Sequence, residues 1–591
     1  MTKDAFAHVH VASSYSLQYG TSTPTALVNR AAELGQTIIG LTDRDGLYGA
    51  VQWAQACRQA GVAPVLGADL AVEPSSLPEQ RATGRRTPAR GGTWVGDSRP
   101  RVVLLAANAQ GWASLCRIVS RAHTGSHTER GMPFVTWEIL REHHAGVVAL
   151  LTPDSEAGQL LAADRTWSAE AAVRPWRAIF GGWLAMAVGS HRRASGHRYS
   201  TAAAARTLRW ARDQHLPVVL TNAVRYLDPA HAPVADILDS ARLLIPVRSA
   251  RLEHANGEAH LKSTEAMQEV AAEIAQAAGQ SDPQRLLADT RRLAEFCVLD
   301  PAVDLGMEEI FVPELDVLLG REVQDPVREA NDLLWRRCEG AIEGRFPDKR
   351  ERREARSRLA EEMRTIEHLG FSGYFLTVAE VVDMIRGEGV RVAARGSGAG
   401  SLVNYLLGIS GVNPITHGLL MERFLSPLRK ALPDIDIDVE SARRTEMYDR
   451  IFERFGRERV AAVAMMETYR VRHAVRDVGK ALGMPAGEID SLAKSFPHVR
   501  ARYARSALED LPELRASSFG RLAAEGKLDQ FLDLVESLDS LPRHIAMHPC
   551  GLVLSDATLL DRTPVEHSAA GYPMSQFDKD DVERMGLLKL D

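Results

Sequence analysis

Apolar positions recur along this chain at two periods, and the change of period divides it. Over the first 265 residues, short β-branched runs alternate with helical patterns. QTIIGLT (36–42), VAPVLG (62–67), RVVLLAA (101–107), GVVALLT (146–152) and PVVLTN (217–222) read as strands. Amphipathic stretches at 51–60 and 111–122 fall between them. Strand–helix repetition predicts βα units, hence a parallel sheet or barrel. Two polar stretches interrupt the series and predict loops: 73–100, rich in Pro, Gly, Ser and Arg, and 189–200. From Glu265 to about Met384 the period becomes helical; charged runs there predict a solvated helix face, and Gly370 a helix stop.

The period changes again near 389. GVRVAARGSGAGSLVNYLLGI (389–409) predicts a short strand, a loop with three glycines and an amphipathic helix. PDIDIDVE (433–440) alternates Asp434, Asp436 and Asp438 with Ile435, Ile437 and Val439, which predicts a strand with one acidic face. Residues 441–456 predict a helix, 459–469 a buried segment and 470–483 a second helix. A small helical stretch then fills residues 480–545.

Composition adds bounds. With 591 residues, 45% hydrophobic and 25% charged, the chain reads as three or four ordinary globular domains. A formal charge of −6 excludes a globally basic, histone-like binder and leaves room for a local basic groove. The five cysteines show no C-x-x-C spacing, which predicts reduced thiols and no zinc module. No apolar run has signal-peptide or membrane-span length, so the expected setting is cytoplasmic, with no membrane partner.

Next-but-one side chains on a strand sit roughly 6.5 to 7 Å apart, close enough for carboxylates to converge on divalent ions roughly 4 Å apart. A calcium loop is disfavoured by Val439 where glycine is usual and by Thr445 where glutamate is usual, and a solvated acidic edge strand is the other plain reading. In the glycine loop, backbone N–H groups can approach an anion, and the helix terminus that follows adds partial positive charge. Gly396, Gly398 and Gly400 match neither the dinucleotide fingerprint nor a P-loop. In the 470–483 helix, Arg472, Arg476 and Lys480 fall at i, i+4 and i+8 on one face, a stripe suited to a phosphate backbone.

Six stretches carry a resemblance. AFAHVHVASSYSLQYG, GLTDRDGLYGAVQWAQACRQAGVAPVLGADLAV and PVVLTNAVRYLDP resemble the PHP domain of bacterial C-family DNA polymerases. GYFLTVAEVVDMIRGEGVRVAARGSGAGSLVNYLLGI with MERFLSPLRKALPDIDIDVE resembles the palm of the same family, shared by the polymerase III alpha subunit and its error-prone relatives. YPMSQFDKDDVERMGLLKLD resembles the last palm segment. The fold this implies is α/β multidomain: a PHP-type distorted β/α barrel (1–265), a nucleotidyltransferase-like α+β palm (266–465), a small helical thumb (466–543) and a palm return (544–591).

By the same resemblance, Asp434, Asp436 and Asp591 would be catalytic carboxylates holding two Mg²⁺ ions. Arg395, Gly396, Ser397, Arg423 and Lys589 would contact the triphosphate, and Arg470, Arg472, Arg476 and Lys480 the DNA. His8 and His10 remain from the PHP metal pattern, but Ala12, Tyr19, Arg44, Ala223 and Arg225 depart from it. Guanidinium groups cannot coordinate a cation, so a degenerate, structural barrel is expected. The function implied is template-directed DNA synthesis from primer–template DNA and dNTPs, by an error-prone or accessory member. The chain would be an amino-terminal portion, as a truncated product, one half of a split gene or an intein-interrupted sequence would give; a separate carboxy-terminal half is one partner this allows. Two other readings are a non-catalytic DNA-binding or assembly subunit and a PHP phosphoesterase, the latter disfavoured by Arg44, Ala223 and Arg225.

Overall fold

The computed structural model describes residues 5–75, 99–125, 132–280, 282–307, 309–428, 432–433 and 435–590. Most of the predicted 73–100 loop lies outside the described residues. The chain forms two units: residues 1–300 with 466–546, and residues 301–465 with 547–591.

In the first unit, β1 (Ile38–Arg44), β2 (Ala63–Ala71), β3 (Arg101–Ala106), β4 (Val147–Leu151), β5 (Leu184–Val188) and β6 (Val218–Leu220) form one sheet in sequential order. The expectation of an all-parallel sheet needs correction at β3. β1 pairs with β2, and β4 with β5 and β6, in parallel; β3 runs antiparallel to both neighbours. A parallel neighbour demands a crossover, whereas an antiparallel one does not, and no helical pattern separates β2 from β3. His8 bridges to Ile39 and Val11 to Val224, so the amino-terminal segment spans from the first strand to just beyond the last and curls the sheet. The 189–200 segment is a loop, as expected.

The strands read as continuous apolar runs because both faces are covered. One face, built from Val65, Val103, Leu105, Val148, Leu150 and Val219, packs on Ala294 of the helix Gln284–Phe296 and on Cys297, which caps it. Thr290 of that helix also receives the Leu220 amide at 2.7 Å. The boundary placed at 265 therefore falls inside this unit. The helices within residues 466–546 join it too: Val475, Val478, Phe531 and Val535 share one buried cluster with Val234, Ile237 and Leu238 of the helix Ala232–Leu243. The segment that begins at 466 is thus packed on the first unit's own core.

Two buried histidines set an acid limit on this unit. His8 Nε2–H donates to the Lys262 carbonyl (2.9 Å), and His191 Nε2–H to the Asn222 carbonyl (2.8 Å). Burial is the largest influence on each and pulls each pKa down from 6.5 to about 4. Their stabilisation is complete above pH 6.5 and is lost as pH falls toward 4, by roughly 3 kcal/mol each. Burial pushes Asp43 up to about 6, so it opposes one histidine as pH falls. Denaturant midpoints are expected to drop between pH 7 and 4.5, and more steeply in Asp43→Asn; a flat profile would contradict the assignment.

In the second unit, long helices (Pro326–Arg345, Lys349–Leu369 and Ser372–Gly387) precede the strands, and Gly370 ends the second of them at φ +73°. β7 (Val392–Arg395) and β8 (Asp436–Val439) form a two-stranded sheet. β9 (Val460–Thr468), β10 (Pro542–Leu554), β11 (Val565–His567), β12 (Pro573–Asp578) and β13 (Leu588–Leu590) form a second sheet in the order β11-β12-β9-β10-β13. Among the described residues no helix is long and apolar enough to cross a membrane.

Candidate active site: a glycine turn against an acidic strand

β7 and β8 pair antiparallel with Arg395 opposite Asp436 and Ala393 opposite Asp438. Arg395 Nε lies 3.1 Å from Asp438 Oδ1 and 3.8 Å from Asp436 Oδ2, so one guanidinium serves two carboxylates on the same strand face. Ile435, between the acids, is fully buried. Along β8 the separation is partial: Asp438 is exposed, while Asp436, Ile437 and Val439 are all half-buried. Tyr374, buried in the helix Ser372–Gly387, donates to the Pro433 carbonyl at 2.5 Å and anchors the approach to the strand. Asp434 and Asp591 lie outside the described residues.

Gly396 follows Arg395 directly at φ +75°, a conformation that favours glycine, and a Cβ there would sit 3.9 Å from Asp436 Oδ2. Ser397, exposed, is next in the turn. At Gly400 a Cβ would meet the Leu420 carbonyl at 2.7 Å, so the turn lies against the segment that leads into Met421–Arg423. Arg423 is exposed at the end of that segment. The fold thus gathers Arg395, Gly396 and Asp436, with the Arg423 segment beside the turn. Lys589 sits opposite Val553 in the five-stranded sheet. The strand preceding Asp591 is paired there, and Phe311 bridges to Leu587 on the same segment.

One expectation fails. The helix after the glycines was to offer its amino terminus to an anion, yet it spans only Leu402–Leu406 and its terminus is filled from within. Glu362, 1% exposed, accepts from the Leu402 and Val403 amides (2.9 and 3.0 Å) and from Ser401 Oγ (3.0 Å). Arg358 donates to Glu362 at 3.0 Å and to the Gly400 carbonyl at 2.6 Å. Burial lifts the Glu362 carboxyl above the ordinary glutamate range, with the hydrogen bonds from Leu402, Val403 and Arg358 acting against it. A carboxylate already occupies the place a phosphate would take. What remains for an anion is Arg395 and the turn itself.

Glu362 and Arg358 were passed over because the helix Lys349–Leu369 reads as a charge run. The signal was present: Glu362 falls among Ala355, Leu359, Met363 and Ile366, the buried positions of that helix. Asp436 presents a half-exposed carboxylate, the hard oxygen donor that Mg²⁺ takes, so the residue present fits such an ion. Among the described residues no three His, Cys, Asp or Glu side chains form a metal-holding group.

The basic helix forms at Val471–Ala481, in the first unit. Its stripe is partly committed internally. Arg472 donates to the Phe496 carbonyl at 2.7 Å and contacts His498 at 3.0 Å, and Arg476 reaches Asp490 at 3.3 Å. Asp477, the one acid near them in sequence, instead faces Tyr469 and Arg543. Arg470 and Lys480 are exposed.

Around the PHP positions, charge is also internally balanced. Arg44 pairs with Asp69 (3.4 Å), Arg101 with Asp45 and Asp69 (3.0 and 3.1 Å), and Arg225 with Asp239 (3.0 Å). The Tyr19 ring lies between Arg44 and Arg225, each 3.7 Å from its centroid. His8 and His10 are buried, and burial lowers the His10 pKa.

Residues 332–591 match the family model described as the bacterial DNA polymerase III alpha NTPase domain, and residues 8–190 match the PHP domain. The DNA polymerase III subunit alpha of Xylella fastidiosa (strain 9a5c) is 30% identical over 620 residues, covering 100% of this chain and 48% of its own length. The error-prone DNA polymerase of Pseudomonas aeruginosa (strain ATCC 15692) is 31% identical, covering 99% of this chain and 50% of its own length. That of Mycobacterium tuberculosis (strain CDC 1551 / Oshkosh) is 32% identical, with 99% and 49% covered. An amidohydrolase structure from Chromobacterium violaceum, 15% identical, covers 37% of this chain and 86% of its own at a TM-score of 0.20, too low to carry an argument. The chain spans about half the length of the curated relatives it matches.

Proposed function

We infer that this chain, which carries a PHP domain followed by a bacterial DNA polymerase III alpha NTPase domain, serves template-directed DNA synthesis as the amino-terminal portion of a C-family polymerase. It acts on primer–template DNA and dNTPs in the bacterial cytoplasm, as an error-prone or accessory member, with a carboxy-terminal polymerase half as partner. The cross-strand pairing of Arg395 with Asp436 beside the glycine turn carries this reading. A phosphate-binding group and a metal-type carboxylate meet there on adjacent strands.

Asp436, with Asp434 and Asp591, would hold two Mg²⁺ ions. When bound, such ions lower the pKa of the primer 3′-hydroxyl and neutralise the departing pyrophosphate. The chain's own residues do the positioning. Arg395 exchanges a carboxylate partner for a triphosphate oxygen, the turn at Gly396 and Ser397 brings backbone close to the phosphates, and Arg423 and Lys589 balance the remaining charge. In this reading residues 266–465 and 544–591 are the palm and 466–543 the thumb.

Of Arg470, Arg472, Arg476 and Lys480, Arg470 and Lys480 are the exposed pair, open to a DNA backbone. Lys480→Ala is expected to weaken primer–template binding and lower its salt slope by about one ion. Arg472→Ala is expected instead to cost about 1 to 2 kcal/mol of stability by leaving the Phe496 carbonyl without its donor. Equal salt slopes for Lys480→Ala and the parent would remove the helix from the DNA path. The PHP domain acts structurally, since its arginines hold the carboxylates a metal would need. Stoichiometric zinc or manganese in the purified chain would overturn that part.

Primer extension tests the whole reading, with the chain alone and mixed with the carboxy-terminal half of a relative. Mg²⁺-dependent extension is expected in the mixture. No extension with both parts folded would overturn it.

A further inference from the structure

A pocket of about 830 Å³ opens in the first unit at the amino-terminal ends of β4, β5 and β6, against the helix Gln284–Phe296. The PHP residues His10, Arg44 and Arg225 are not among those that line it. Two features distinguish it from an ordinary surface dent.

The first is aromatic. Trp183 and Phe296, 36% and 54% exposed, meet edge to face with centroids 5.1 Å apart. Large apolar rings are normally covered, and here both present surface within one concavity.

The second is charge. The lining includes three guanidinium groups, Arg212, Arg285 and Arg292, and one carboxylate, Asp289. Asp289 lies 3.1 Å from Arg292 and 3.7 Å from Arg285, so it is shared. Arg212 is half-buried and bonded to the neutral Gln280 side chain. Its pKa is lowered, by burial first and by Arg285 next, with Asp289 and Asp282 opposing. The pocket therefore holds more positive charge than its own acid compensates, as an anion site does.

We propose that this pocket binds a nucleoside phosphate, its base on Trp183 and Phe296 and its phosphate on Arg212, Arg285 and Arg292. A simple inorganic anion would leave the rings idle, and an apolar ligand would leave the cations unmatched. A nucleoside phosphate supplies a flat π-face and a multiply charged acceptor on one scaffold. The volume lies within the range of small-molecule sites. The ligand can be a free nucleotide or the terminal nucleotide of a DNA strand, since both offer this chemistry. The site shares no residue with the Arg395–Asp436 pair, so it goes beyond the polymerase reading.

The test titrates deoxyadenosine diphosphate into the full chain with a chelator present, following tryptophan fluorescence. Saturable quenching is expected, absent in Trp183→Phe, unchanged in Asp436→Asn, and about 10-fold weaker or more in Arg285→Ser and Arg212→Ser. Arg285 is exposed, so its variant keeps the test valid should Arg212→Ser fail to fold. Tighter binding of a short single-stranded oligonucleotide than of the diphosphate assigns the site to a DNA end; weaker binding assigns it to the free nucleotide. The proposal is overturned by no saturable signal below about 1 mM. Inorganic phosphate competing as well as the nucleotide, or loss of the signal in Asp436→Asn, would overturn it too.

Discussion

Primer extension is expected to fall about 10³-fold when Asp436 is replaced by asparagine, in the assembly that supports synthesis. The substitution keeps shape and removes one negative charge from the strand face that confronts the glycine turn. Its effect should be catalytic and not architectural, because Arg395 retains the closer of its two carboxylates, Asp438 at 3.1 Å. Asp438→Asn is the informative control. That side chain is 66% exposed, against 30% for Asp436, and only a few-fold loss is expected. Rates at saturating dNTP, with unfolding midpoints measured alongside, separate the two effects. If Asp436→Asn keeps more than a tenth of the parent rate, Asp436 is not a catalytic carboxylate.

Glu362→Ala is expected to cost the second unit about 3 to 5 kcal/mol, the range for breaking a buried pair from one side. Three donors lose their acceptor together: the Leu402 and Val403 amides and the Ser401 hydroxyl. Arg358 would also keep its charge beside the Gly400 carbonyl without the opposing carboxylate. Glu362→Gln retains one acceptor oxygen and should cost less. Denaturant unfolding gives the ordering, and nucleotide affinity should fall in step because the turn loses its backing. A loss below about 1 kcal/mol for the alanine variant would mean that the helix terminus finds water or another partner.

What the sequence made legible followed from local pattern. Alternation identified β8 and its acidic face, the glycine spacing located the turn, and apolar runs gave most of the first unit's strands. β5 was missed, although Leu184–Val188 is fully buried, because LAMAV lacks the β-branched density of its neighbours. The direction of β3 was not legible, since pairing direction is decided by crossovers outside the strand. The stripe of Arg472 and Arg476 read as open to phosphate because their partners, Phe496 and Asp490, stand 24 and 14 residues away. Glu362 hid for the opposite reason. Its neighbours along the chain are charged, and only its place on the helix's buried face marks it as different.

The shared cluster that joins Val234, Ile237 and Leu238 to the helices of residues 466–546 bears on how the protein is made. On the ribosome, residues 1–300 emerge well before the segment that completes their core, and at roughly 5 to 20 residues per second the wait is on the order of ten seconds. Through that interval the nascent chain exposes an apolar helix face that only a later segment can cover. A clone ending near residue 300 would make this exposure permanent and is therefore a poor vehicle for studying the PHP domain alone. Supplying residues 466–546 in trans, or carrying the clone past residue 546, should restore solubility.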